Sequence, residues 1–215
     1  MRLNKILVLL ISIILVTGCT SISRMNLDDV VNSLSRVGNN PNTFRRGFKY
    51  YTPKGLHLKD AGTNYVILSS STSDYYLYFD LIDYNENKKI EYKINGNAYY
   101  SKMIDYKDKL GYVEINKQKN NQYLIEIMYN YAKIEVMVDD EHLKSALANT
   151  INILKSVEYD KKIIESMLNE NNLAQKEEVF DLFREVKRNS DTLEYVEGST
   201  DTSNNEEIQD TDFIN

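Results

Sequence analysis

The chain has 215 residues, a formal net charge of −6 and 42% hydrophobic residues, which suffices for one domain of ordinary size with flanking segments. Its charge is unevenly placed: eight acids and no lysine or arginine lie between Ser190 and Asn215, Arg2 and Lys5 give the first stretch +2, and the part between is balanced. This excludes the basic excess of a nucleic-acid binder, and a single cysteine, Cys19, excludes an internal disulfide and a cysteine-built metal site.

Taken in order, Met1 to Cys19 comes first. Arg2 and Lys5 precede an apolar run from Ile6 to Val16 broken only by Ser12, and small residues stand just before the cysteine, the layout of an export signal. The run is short for a hydrocarbon core of roughly 30 Å, which needs about 20 apolar residues. The segment Val16-Thr17-Gly18-Cys19 resembles the lipobox of bacterial lipoproteins. That resemblance implies cleavage after residue 18, a diacylglyceryl group on the Cys19 sulfur, further acylation by chains such as palmitate, and attachment to the extracytoplasmic face of the cell membrane. Two or three chains make such attachment lasting.

Residues 19–43 read as a tether and a short helix. Asn26 is placed to cap it, and Leu27, Val30, Val31, Leu34 and Val37 fall on one helical face until Gly38 to Pro41 stops the run. A domain is expected over 44–188. Tyr65 to Leu68 and Tyr75 to Ile82 are strand-like runs of β-branched and aromatic residues between turn formers. Ile90 to Ile94 is expected to return as a strand, with Asn95-Gly96 forming a type I′ hairpin turn into Ala98 to Met103. Leu110 to Ile115, Tyr123 to Tyr129 and Ala132 to Val138 continue the set as an up-and-down meander, with a tight turn near Asn130-Tyr131. On the last two, Tyr123, Ile125, Ile127 and Tyr129 alternate with Leu124, Glu126 and Met128, and Ile134, Val136 and Val138 with Lys133, Glu135 and Met137. One sheet face is thus apolar and the other mixed, which predicts helices on one side only. Asp139 to Glu141 open a helix whose stripe is Leu143, Ala146, Leu147, Ile151 and Leu154. A short strand at Ser156 to Tyr159 and helices at Lys161 to Leu168 and Leu173 to Lys187 complete the domain. Residues 189–215 read as an acidic disordered tail.

The order hairpin, helix, strand from Tyr123 to Tyr159 resembles the C-terminal half of the PsbP/Mog1/DcrB-like α/β domains, and Tyr51-Thr52-Pro53-Lys54-Gly55-Leu56 is similar to their opening segment. The resemblance covers roughly residues 48–159. It implies an α+β fold, an antiparallel sheet with helices on one face, and an accessory or binding role without a shared catalytic set.

Chemistry-bearing motifs are sparse. His57 and His142 lack HExxH spacing, no Gly-rich phosphate loop occurs, and Ser69 to Ser71 stand outside any GxSxG elbow, so neither metal nor cofactor is expected. Tyrosine is abundant, with 17 residues, and Tyr75, Tyr76, Tyr78 and Tyr129 form the candidate binding surface, since tyrosine joins a large apolar ring to a polar tip. Lys88, Lys89, Lys107 and Lys109 are expected to gather as a basic rim at one sheet end. The expected function is that of a lipid-anchored, non-catalytic binding or accessory domain meeting a protein or glycan partner in the envelope. The alternative is an envelope hydrolase whose carboxylate site is assembled by the fold.

Overall fold

Alternation of apolar and polar side chains governs the largest element. The protein is described by a computed structural model covering residues 22–36 and 38–170. Cys19 and the lipobox, the predicted helix from Leu173, and the acidic tail lie outside the described residues. The strands are β1 (Thr43–Arg45), β2 (Phe48–Tyr50), β3 (His57–Ala61), β4 (Tyr65–Ser69), β5 (Asp74–Phe79), β6 (Tyr100–Tyr106), β7 (Lys109–Lys117), β8 (Gln122–Tyr129), β9 (Ala132–Asp139) and β10 (Glu158–Tyr159). The helices are α1 (Leu27–Asn32), α2 (Leu81–Glu86), α3 (Leu143–Leu154) and α4 (Lys161–Asn169).

Seven strands form one antiparallel sheet in the order β3-β4-β5-β9-β8-β7-β6, and β1-β2-β10 form a second. The fold class is α+β. On β8 and β9 the period of two holds as expected: Ile125, Ile127, Ile134 and Val136 are buried in the core with Leu147 and Ile151 of α3. Lys133, Glu135, Leu124 and Glu126 occupy the opposite face.

Four expectations are corrected. The helix from Asn26 stops early, at Asn32, and a 3-10 turn over Ser33–Ser35 takes over. The strand from Tyr75 ends at Phe79 rather than Ile82, because the Asp80 carboxylate accepts a hydrogen bond from the Asp83 amide at 2.8 Å and caps α2. Ile90 to Ile94 forms no strand, and neither Asn95 nor Gly96 takes the positive φ of a type I′ turn. Asn95 instead folds its side chain onto its own chain, accepting from the Asn97 amide at 3.0 Å while donating to Glu114. Local bonding of this kind competes with a hairpin ladder. The simple meander also fails, since β9 rather than β6 pairs with β5. Residues 87–99 carry the chain out of the ladder, and β6 enters at the far edge.

The sheet has two distinct ends. The turn between β8 and β9, the turn between β6 and β7, and the small sheet share one, tied by Tyr159 Oη donating to the Asn130 carbonyl at 2.9 Å. The β9–α3 junction, the β7–β8 turn and Tyr99, whose ring meets Tyr123 edge-on at 4.9 Å, share the other. Ile22–Arg24 packs at that second end beside the first residues of α3. Eight residues of β9 separate the ends, roughly 25 Å of extended chain.

Candidate functional site

The four predicted surface tyrosines do not share a surface. Tyr75 and Tyr129 are buried on the helix-facing side of the sheet, within the core. Tyr76 and Tyr78 stand on the other face, opposite Glu135 and Lys133 of β9, and Tyr78 is buried there too. Burial pushes the Tyr75 and Tyr129 hydroxyls above their ordinary range. Strand propensity and core volume account for Tyr75 and Tyr129, so the tyrosine row is corrected to two core residues and two on the mixed face.

That mixed face holds an arrangement the sequence reading did not single out. Register places Glu135, Glu126 and Glu114 directly side by side across β9, β8 and β7, and all three are buried. Like charges directly opposite destabilise a sheet unless compensated. Lys133 supplies compensation, its Nζ 2.6 Å from Glu135 Oε1 and 3.8 Å from Glu126 Oε2. Tyr112 donates its hydroxyl to Glu126. Glu114 accepts from Tyr92 Oη at 2.6 Å, Asn116 Nδ2 at 2.8 Å and Asn95 Nδ2 at 3.0 Å. Through these bonds, and a Tyr92 ring stacked 4.1 Å from Tyr112 at 3°, the row pins residues 92–95 onto the sheet. Burial, followed by the bond to Glu114, pushes the Tyr92 hydroxyl up. No group of three or more His, Cys, Asp or Glu among the described residues is disposed to hold a metal ion. The signal for this row lay in the alternation itself, a glutamate at the polar phase of three strands whose other phase is apolar.

The surface best suited to a partner is elsewhere, on the outer side of the small sheet. Phe44, Lys49 and Glu158 are neighbours across β1, β2 and β10, while Phe48, Tyr50 and Tyr159 point inward. The inward ring of Phe48 stacks on Phe79 of β5 at 3.9 Å. Standing outward beside Lys49, Phe44 is left 71% exposed. It stands over an open cleft of about 600 Å³ whose far wall is the first turn of α4, with Lys161, Lys162 and the exposed Ile163. On its other flank, a wider depression of about 840 Å³ reaches Arg45, Arg46 and the Gly62-Thr63 turn. Volumes of this size fall in the range of ligand-binding clefts.

Charge on the cleft is only partly satisfied internally. Lys49 pairs with Glu158 at 2.8 Å, and Arg46 with both Glu170 oxygens at 2.7 and 2.9 Å. Asp160 caps α4 by accepting from the Ile163 amide at 3.2 Å. Lys161 and Lys162 have no ion-pair partner among the described residues. Two exposed apolar side chains, Phe44 and Ile163, and two lysines with no ion-pair partner among the described residues therefore line one concavity, and its carboxylates Glu158 and Asp160 are both engaged.

Of the other sequence candidates, His57 opens the exposed edge strand β3 and His142 closes the 3-10 turn before α3. Of the four lysines expected to form a basic rim, Lys88 and Lys89 line a concavity of about 250 Å³ together with Asp108, with Lys88 bonded to Asp83 at 3.1 Å, whereas Lys107 and Lys109 do not line it. Cys19, Val16, Thr17 and Gly18 lie outside the described residues. No protein-family model matches the chain, and no curated protein is detectably similar to it.

Proposed function

We propose that this protein is exported, anchored by lipid on Cys19 to the extracytoplasmic face of the cell membrane, and acts there as a non-catalytic binding domain of the PsbP/Mog1-like kind. Its contact surface is the Phe44 cleft, and its partner is another envelope protein. The leader Met1 to Cys19 supports the address. The observation that carries the contact surface is the pairing of exposed Phe44 and Ile163 across a cleft bordered by Lys161 and Lys162. Central apolar anchors inside a charged rim are the usual make-up of a protein contact. A hydrolytic site would need a free acid–base pair in the cleft, whereas Glu158 and Asp160 are committed to Lys49 and to the helix cap.

The test is photo-crosslinking in living cells from a reactive side chain placed at position 44, with the same group at exposed Leu58 as control. A reproducible crosslinked protein from position 44 alone, lost when Lys161 and Lys162 are both changed to glutamate, is the expected result. Absence of any partner, together with turnover of a cell-wall glycan or peptide by the purified protein, replaces the binding reading with the hydrolase.

A further inference from the structure

We infer that the end of the sheet carrying Ile22 and Tyr99 rests against the lipid bilayer, so that the Phe44 cleft is presented at the far end, away from the membrane. The inference rests on the lipidation of Cys19 proposed above and adds to it an orientation and a lipid-facing surface.

Reach limits how far the domain can stand from the lipid. From Cys19 to Ile22 there are three peptide steps, and whatever conformation the intervening residues take, fully extended chain spans at most about 11 Å over that distance. The headgroup layer on one side of a bilayer is itself roughly 5–8 Å thick, the difference between the whole bilayer and its hydrocarbon core halved. Once the cysteine's chains are in the hydrocarbon, little chain is left to lift Ile22 clear of the headgroups.

Ile22 is not the start of a loose linker. The Met25 amide donates to the Ile22 carbonyl at 3.1 Å, closing a 3-10 turn over Ile22–Arg24. Met25 and Leu27, immediately after it, pack against the core. Ile22 and Leu27 line one concavity with Tyr99 and Leu143. The lipid is thus joined to a fixed point on the domain by a leash shorter than the domain is thick.

Side chains at this end suit an interface. Tyr99 is 54% exposed, and a tyrosine ring favours the headgroup level, where its body is shielded and its hydroxyl wet. Charges there are mixed, Arg24, Lys117, Lys119 and Lys144 against Asp139, Asp140 and Glu141, so no single-sign field repels the surface. The tether, rather than charge attraction, fixes the contact. The lysines around Asp108 belong to the opposite end and face away from lipid.

The sequence lends itself to a direct test, because Cys19 is the only cysteine and, once acylated, leaves no free thiol. The full-length lipidated protein, as Tyr99→Cys and separately as Phe44→Cys, is labelled with bimane and reconstituted into vesicles of phosphatidylethanolamine and phosphatidylglycerol carrying a headgroup-level nitroxide lipid. Mass spectrometry of each sample reports the state of Cys19. Quenching severalfold stronger at position 99 than at position 44 is expected. A twelve-residue Gly-Ser insert between Ser21 and Ile22, adding roughly 20 Å of root-mean-square reach, is expected to bring position 99 down towards the value at 44. Equal quenching at both positions in protein whose Cys19 is acylated overturns the orientation while anchoring stands. Unmodified Cys19 overturns the anchoring reading, and this inference with it. Strong quenching at 99 that survives the insert overturns the tether as its cause.

Discussion

Gly111 shows how much one missing methyl can matter. It lies in β7 between Tyr129 and Ile104, and a Cβ there would come within 2.0 Å of the Met128 carbonyl oxygen and 2.8 Å of the Tyr129 Cα. Neighbouring backbone cannot swing aside as the tip of a side chain can, so Gly111→Ala is expected to cost about 3 kcal/mol or more. Gly96 has open space around it and ordinary φ, so Gly96→Ala is expected to change stability by no more than about 0.5 kcal/mol. Urea titration of the two variants decides the matter, and matching midpoints would contradict the close-approach account. The sequence separates these glycines only in part: Gly111 falls within the predicted Leu110 to Ile115 strand and Gly96 in a predicted turn, but neither neighbourhood gives the cost of adding a side chain. What distinguishes Gly111 is the β8 backbone, which arrives from a distant part of the chain.

At the level of elements, the hairpins depend on residues that carry positive φ. Lys107 and Asp108 take φ of 51° and 64°, and Asn130 and Tyr131 take 53° and 59°, each pair forming a two-residue connection whose twist matches the flanking strands. For residues with a Cβ this conformation costs roughly 1–2 kcal/mol each. Replacing Lys107-Asp108 with Asn-Gly is therefore expected to stabilise the protein by about 1 kcal/mol, seen as a higher unfolding temperature without change in far-ultraviolet circular dichroism; an unchanged or lower temperature would refute it. The strands flanking these turns were legible because β-branched and aromatic residues alternate at a period of two, and α3 because its apolar stripe repeats at helical spacing. Ile90 to Ile94 misled by carrying the same alternation. Tyr92 and Asn95 there are used by Glu114 on the sheet's open face, and nothing local in the sequence announces that demand. The Phe44 cleft was equally hidden, because it needs β1, β10 and α4 brought together from positions more than a hundred residues apart.

Across the whole molecule, tyrosine sets the alkaline limit of the fold. Burial raises the hydroxyls of Tyr50, Tyr75, Tyr129 and, most of all, Tyr159 above the ordinary value of 10.0. A group raised in the folded state contributes stability that is complete below its unfolded value and is lost as pH climbs through the folded one. Stability should therefore hold up to about pH 10 and fall above it. With no tryptophan present, tyrosinate absorbance is the clean readout: exposed tyrosines titrate first, and a later group appears together with loss of secondary structure. Titration of every tyrosine near 10 with the fold intact would contradict this. The separation of the sheet's two ends has a mechanical consequence as well. If the protein is held at Ile22 and pulled at the cleft, tension runs along the strands, and the seven-stranded ladder resists in shear with many hydrogen bonds loaded at once. The small sheet hangs on fewer links, among them Ser156 Oγ accepting from the Tyr51 amide at 2.7 Å, Tyr159 on the Asn130 carbonyl, Arg45 donating to the Gly62 carbonyl at 3.0 Å, and the Phe48 ring on Phe79. Single-molecule stretching between these points should show the small sheet peeling away at low force before the main sheet ruptures, so that load on the Phe44 cleft frees the small sheet while the seven-stranded sheet stays folded; a single rupture event would count against it.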